Sequence, residues 1–423
     1  MRSILKTQRL HQLLQPKRLA IFEACLIGLV AALAAVLLKQ GVGWLGGWRI
    51  YASHVLPAWL VIPAFGLLCG SLAGILVERV APETSGSGIP QVKAVLSRVP
   101  IPLDLRVAFT KLSGGILALG SGLALGREGP TVQVGAALAA ALSRWVPTSS
   151  DYRRQLIAAG AGAGLAAAFN APIAGVLFVV EELLQDVSDL TLGTAILASF
   201  IGAVVSRQLG GHSLDVNLDL TAPQTNFSVQ EIPFYLVLGV LAGGFGVLFN
   251  RGVIASLTFN KQVLSRSLPI RIGLAGLVSG LVIALLPNTF HDNAGLREML
   301  VTGGASWQVA AIAFVAYFVL TLVAYGSGAP GGLFAPTLIL GSALGYLVGV
   351  CEHSLLGITL PSTYALAGMG AFFSAVARVP ITAIVIVFEM TRDFNLVLPL
   401  MIGSVVAYLV GEKVASGSIY DLP

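Results

Sequence analysis

Residues 120–138 read GSGLALGREGPTVQVGAAL, and residues 326–344 read GSGAPGGLFAPTLILGSAL. Gly120-Ser121-Gly122, Gly126, Pro130, Gly135, Ala137 and Leu138 match Gly326-Ser327-Gly328, Gly332, Pro336, Gly341, Ala343 and Leu344 at a constant offset of 206. A second block, Ala159, Gly160, Gly162, Ala163, Ala167, Pro172, Ile173 and Glu181, matches Ala367, Gly368, Gly370, Ala371, Ala375, Pro380, Ile381 and Glu389 at an offset of 208. Ordered Gly, Pro and Glu matches mark the two halves as diverged copies. Each copy of the quoted stretch lies in an apolar run, 107–143 or 308–351, that is too long for one membrane crossing and is interrupted by Gly and Pro. Irregular backbone at membrane depth survives only where protein buries it or where it lines a wet cavity, so both runs are expected to be broken helices. Breaks at corresponding places in two halves point to a transporter whose site lies near the bilayer midplane. An odd number of spans per half would invert one repeat relative to the other, and inversion is expected.

The composition fixes the solvent. Of 423 residues, 56% are apolar and 11% charged, and mean hydropathy is +0.87. Soluble chains carry about 25% charged residues, so lipid must surround most of this one. An all-α, polytopic membrane protein is expected, with broken and tilted helices. Its 49 glycines suit close helix packing in lipid. The net charge of +5 is scattered between apolar runs, which argues against a nucleic-acid partner. Cys25, Cys69 and Cys351 suggest neither disulfides nor a thiolate site, and the five histidines lack ligand spacing. No metal or cofactor is expected, and no enzyme motif is present.

Charge also predicts organisation. Arg2, Lys6, Arg9, Lys17 and Arg18 precede the first apolar run, Ala20 to Leu38, without an acid before Glu23. This reads as a cytoplasmic N-terminal segment, 1–19, followed by a retained helix rather than a cleaved signal. A first transmembrane repeat is expected over 20–207, a linker over 208–231 and a second repeat over 232–423. The linker has Asp215, Asp219 and Glu231 but no Lys or Arg, and is expected outside. The stretch 232–291, with Arg251, Lys261, Arg266 and Arg271 and no acid, is expected inside.

Three interruptions carry the chemistry: GSGIP at 86–90, GREGP at 126–130 and GGLFAP at 331–336. Gly followed by Pro before an apolar run reads as a loop ending in the free N–H groups of a helix start, and such starts attract anions. With no fixed lysine or arginine expected in the pocket, a halide-sized ion would be held by those amides and the Ser87 hydroxyl. Amides near Gly129, Leu333 and Phe334 are candidate donors. Glu128 stands where a carboxylate rivals that anion, so its protonation would link anion exchange to proton exchange. The plainer reading is a salt bridge to Arg127, but adjacent helical residues do not face one another. Glu181 and Glu182 end the apolar run Ile173 to Val180. Glu181 has a repeat partner in Glu389 and suggests a shared structural role; Glu182 aligns with Met390 and is the better proton site.

These three motifs, in order, with Ser418-Ile419-Tyr420-Asp421 near the end, resemble the CLC chloride channel and transporter family over nearly the whole chain. The resemblance implies an all-helical homodimer of two inverted-topology repeats, with one anion pathway per subunit. It makes Ser87 and Tyr420 hydroxyl ligands, Leu333 and Phe334 amide donors, and Glu128 the gating carboxylate. Ser87 is the residue type that goes with chloride preference. Family members that exchange protons carry a second acid, here Glu182, which implies chloride/proton antiport with Glu128 as external and Glu182 as internal proton-transfer group. A passive voltage- or pH-gated chloride channel is the rival reading. The chain ends just after Tyr420, so no CBS domains are expected. The compact form resembles prokaryotic members of an inner membrane.

Overall fold

A computed structural model describes residues 16–144, 149–185, 189–210, 227–264, 266–291, 293–414 and 418–421. The basic segment before residue 16 and most of the expected linker, 211–226, lie outside the described residues, including Asp215 and Asp219. The rest is helical, with no strand among the described residues. In the first half, α1 (Pro16–Val55), α2 (Ala58–Val80), α3 (Ile89–Leu96), α4 (Leu105–Gly120) and α5 (Glu128–Leu142) are followed by α6 (Ser150–Phe169), α7 (Pro172–Phe178) and α8 (Asp189–Gly210). The second half holds α9 (Ile232–Phe259), α10 (Leu268–Leu285), α11 (Asn293–Thr302), α12 (Trp307–Gly326) and α13 (Phe334–Leu355), then α14 (Pro361–Ala377), α15 (Pro380–Thr391) and α16 (Val397–Val414). A short 3₁₀ turn, Ile419–Asp421, closes the described chain.

Eight helices are long and apolar enough to cross a membrane, among the described residues. Both overlong runs are broken as expected, between α4 and α5 and between α12 and α13. α3, with 8 residues, and α5, with 15, are too short to cross about 30 Å of hydrocarbon, so their N-termini begin inside the protein. α1 differs from its expected apolar core of Ala20 to Leu38. It runs on to Val55, because no proline intervenes until Pro57. At the end of the expected linker Glu231 is fully buried, its Oε2 accepting the Ser228 N–H at 2.7 Å in a reciprocal cap.

Contacts between the halves come in reciprocal pairs. A Cβ on Gly66 would collide with the backbone of Gly276, and one on Gly70 would lie 2.8 Å from Ile272 O. Residues 66 and 70 correspond to 272 and 276 at the offset of 206, so each contact is the image of the other. This is how a twofold-related interface behaves. Backbone approach of this kind is what lets α2 and α10 pack tightly without large side chains. The same exchange recurs at α7 and α15. The Glu389 carboxylate accepts the N–H groups of Ile173 (3.1 Å) and Ala174 (2.8 Å), starting α7. Glu181 accepts those of Ile381 (3.1 Å) and Thr382 (2.7 Å), starting α15. Each half thus caps a helix of the other with equivalent residues, which is the shared structural role expected of Glu181 and Glu389.

Candidate functional site

The three Gly-Pro loops interlock. Gly126 and Gly332, equivalent at offset 206, exchange N–H···O bonds of 2.7 and 2.6 Å. The Gly86 N–H donates to Gly328 O at 3.2 Å, Gly331 N–H donates to Gly86 O at 3.1 Å, and Ser85 Oγ donates to Gly328 O at 2.9 Å. These bonds draw the starts of α3, α5 and α13 together. None of the three starts has a side-chain cap, whereas Asp104, Ser149 and Ser306 cap α4, α6 and α12. First-turn N–H groups without an N-cap side chain, at positive dipole ends inside the protein, are donors for an anion.

The side chains at this junction are those the motifs single out. Ser87 is 1% exposed, and its Oγ is buried without a hydrogen-bond partner. A Cβ on Gly129 would sit 2.6 Å from that Oγ, and one on Gly332 would sit 2.7 Å from the Gly129 nitrogen. Glycine at both positions therefore leaves the hydroxyl and the amide uncovered. Leu333 caps α13 and Phe334 opens it, both fully buried. The Phe334 ring is held between Phe373 (centroids 4.1 Å), Phe169 (5.8 Å), Phe178 (6.0 Å) and Tyr420 (6.2 Å, planes at 21°). Tyr420 is buried and fixed through its N–H to Ser418 Oγ (3.2 Å), which donates to Ala377 O (2.9 Å). The structure thus gathers Ser87, Gly129, Leu333, Phe334 and Glu128, with Tyr420 joined through Phe334. The Asp421 side chain lies outside the described residues.

Glu128 is the first residue of α5 and 1% exposed. Its Oε2 fills the space that a Cβ would need at Gly126, close to the amide of Ala335, and has no hydrogen-bond partner of good geometry. Arg127 Nη2 turns to Ala168 O at 3.2 Å. Glu128 borders a cavity of about 480 Å³ whose walls also carry Lys39, Arg49, Arg127 and Arg297. Ser87, Gly129, Leu333, Phe334 and Tyr420 do not line this cavity, so its cations belong to the approach on the Glu128 side and not to the expected anion seat. Four basic residues line this approach, and Lys111, fully buried, stands behind the GSGIP loop with Nζ donating to Thr84 O (2.8 Å) and Gly86 O (2.6 Å). Sequence reasoning passed over Lys111 although a cation inside the apolar run 107–143 is itself a signal.

Adjacent acids face different ways beyond α7. Val179–Leu184 is π-helical, a geometry frequent at functional sites, though Asn260–Leu264 is π-helical as well. Glu181 is committed to α15, as described. Glu182 is 3% exposed and Oε1 lies 2.9 Å from Lys93 Nζ, a residue sequence reasoning also missed. Tyr420 lies within electrostatic reach of both Glu182 and Glu128.

Comparison with known proteins agrees with this geometry. Residues 69–412 match the voltage gated chloride channel family. The H(+)/Cl(-) exchange transporter ClcA of Vibrio campbellii is 38% identical over 419 residues, covering 95% of this chain and 88% of the relative. The crystal structure of a slow cyanobacterial Cl-/H+ antiporter superposes with a TM-score of 0.88 at 32% identity, covering 95% of this chain and 96% of the other. A CLC-type fluoride/proton antiporter gives 0.78 at 26% identity, covering 95% and 97%. The chain is a polytopic membrane transporter, not an enzyme, and belongs to the CLC family.

Proposed function

We propose that the chain exchanges chloride for protons across a membrane. The observation that carries this reading is the buried Glu128 Oε2, without a hydrogen-bond partner of good geometry where uncapped helix starts meet, in a junction that also buries the unpartnered Ser87 hydroxyl against Gly129. A carboxylate at membrane depth costs about 2.5–3.5 kcal/mol on insertion scales, and helix N-termini offset part of that. A chloride ion binds the same donors, so anion and carboxylate compete. Protonating Glu128 removes its charge and frees the place, and the proton then leaves on the other side of the gate. Ser87 and Tyr420 supply hydroxyls to the central anion, and Gly129, Leu333 and Phe334 supply amides. Glu182 takes the proton on the inner side, by way of water where side chains do not bridge.

The reciprocal contacts between halves fit repeats over 20–207 and 232–423 related by a twofold axis, which the reading takes as inverted about an axis in the membrane plane; the charge pattern supports 208–231 outside and the N-terminus cytoplasmic. Since every ligand comes from one chain, each subunit of a homodimer has its own pathway. A prokaryotic inner membrane suits the Vibrio and cyanobacterial relatives. The rival is a passive channel. In liposomes holding purified protein, an imposed chloride gradient is expected to drive protons uphill; chloride flux without proton movement would make it a channel.

A further inference from the structure

α12 ends against the GSGIP loop, and its penultimate residue brings there a hydroxyl that the motifs do not single out. Tyr325 is buried, 5% exposed. A Cβ on Gly86 would lie 3.8 Å from its phenolic oxygen, which interacts with the Ser87 N–H. Tyr420 stands within electrostatic reach of the same phenol. The end of α12 is tied in place: Gly328 O accepts the Gly86 N–H at 3.2 Å, and Arg271 Nη2 donates to Gly326 O at 3.3 Å. The ordinary partner for a phenol here would be a carbonyl of the loop, but those carbonyls are engaged elsewhere. Gln133 Nε2 donates to Glu83 O (3.0 Å), Gln91 Nε2 to Ser85 O (3.0 Å), and Lys111 Nζ to Thr84 O and Gly86 O.

Three buried hydroxyls thus gather at this loop. The Ser87 Oγ has no partner, and neither the Tyr325 nor the Tyr420 phenol donates to an oxygen among the described residues. Buried donors without an acceptor are uncommon in folded proteins and mark where a water or an ion belongs. With the uncapped starts of α3 and α13 beside them, donors predominate, so the ion that fits is an anion. We infer that the Tyr325 hydroxyl is a third side-chain ligand of the anion, alongside Ser87 and Tyr420, and sharpens the preference for chloride over larger halides. By accepting the Ser87 N–H, the phenolic oxygen passes the pull of that amide into its own O–H, because hydrogen bonds in a chain polarise one another. A compact ion lets the donor come closer than a large one does, so the O–H favours chloride over iodide. The residue occurs in one half only, its equivalent at offset 206 being Leu119. The inference deepens the proposed exchange and rests on Ser87 as a ligand.

The experiment titrates chloride and iodide separately into the purified full chain in a calorimeter, for the parent and for Tyr325→Phe, which keeps the ring and removes the O–H. A hydrogen bond to a charged group is worth about ten- to hundredfold in affinity. The Ser87 N–H that the phenol releases serves the anion in its place, so the low end is expected: chloride binds about tenfold more weakly in the variant. Iodide loses less, and the ratio of chloride to iodide affinity falls. Tyr325→Leu, which installs the residue found at position 119, also lacks the hydroxyl and reads the same ratio should the phenylalanine variant fail to fold. Parental chloride affinity in the variant overturns the inference. So does tighter chloride binding, which would make the phenolic oxygen a rival for the Ser87 amide, and so does an equal loss for both ions, which a merely structural ring would give. Absence of any chloride binding in the parent would instead overturn the proposed function beneath it.

Discussion

Removing the Glu389 carboxylate tests the exchanged caps. It accepts two backbone N–H groups, from Ile173 and Ala174, at the start of α7, where the Ile173 side chain faces outward in the apolar zone. Hydrogen bonds to a charged acceptor contribute about 1.5–3 kcal/mol each, and lipid has no water to replace them. Glu389→Ala is therefore expected to destabilise the protein by about 3–6 kcal/mol. Glu181→Ala should cost more, because Glu181 takes a third donor, Thr382 Oγ1 at 2.6 Å, besides two amides. Glu389→Gln keeps one carbonyl oxygen and should lose about half as much. Reversible unfolding in mixed micelles titrated with a denaturing detergent, followed by tryptophan fluorescence, gives these differences. A Glu389→Ala protein within about 0.5 kcal/mol of its parent would refute the caps as stabilising elements. So would an order of severity in which Glu389→Gln is the worse variant.

Function should separate from stability between neighbours. Glu182→Gln is expected to keep chloride flux and lose proton movement, while Glu181→Gln keeps coupling at temperatures where it is folded; simultaneous flux recordings decide, and coupling intact in Glu182→Gln removes its role. Glu128→Ala should give uncoupled chloride flux insensitive to pH, and retained pH dependence would exclude the competing carboxylate. Ser87→Pro should move selectivity toward nitrate in anion competition, with an unchanged ratio counting against the hydroxyl as ligand. Gly332→Ala puts a methyl 2.7 Å from the Gly129 nitrogen and is expected to weaken chloride binding about tenfold, roughly 1.4 kcal/mol. Calorimetry showing parental affinity would release that amide from the site.

Much of the site was legible because its signals are local. Gly and Pro at fixed spacing announce a broken helix and a free N-terminus, and GSGIP, GREGP and GGLFAP each say so without knowledge of the fold. The contrast of Glu181 with Glu182 was legible from the repeat, since only Glu181 has an acidic counterpart. The Lys93–Glu182 pair was not, because residues 89 positions apart meet only after α3 packs on a π-helical turn whose register periodicity does not reveal. Lys111 was visible yet unassigned, since its partners are main-chain carbonyls and leave no trace in a pattern of side chains. The burial of Glu231 escaped notice for a related reason. Composition marks 208–231 as polar as a whole, whereas a capping box turns its last residue inward.

The repeat explains where the chemistry stands. Groups that build the frame occur twice: Gly126 and Gly332 share a backbone bridge, Pro130 and Pro336 sit in equivalent helix starts, and Glu181 and Glu389 cap each other's half. Groups that handle charge occur once. The positions equivalent to Glu128, Glu182 and Lys111 are Phe334, Met390 and Tyr317. Two identical halves would place two carboxylates at the bridged loops, and like charges so close in a weakly polarisable interior disfavour each other's ionisation. With phenylalanine in the second half, one acid faces donors from both helix starts, and the Phe334 ring packs against Tyr420 instead of adding a rival anion. Symmetry thus brings the helix starts to one point, and its breaking leaves there a single negative side chain, the one that the proposed exchange has an incoming ion displace. A symmetric pair would hold two like charges, and an unsubstituted pair would have no group to exchange a proton, so single-copy acids on a two-copy frame are what coupling of this kind requires.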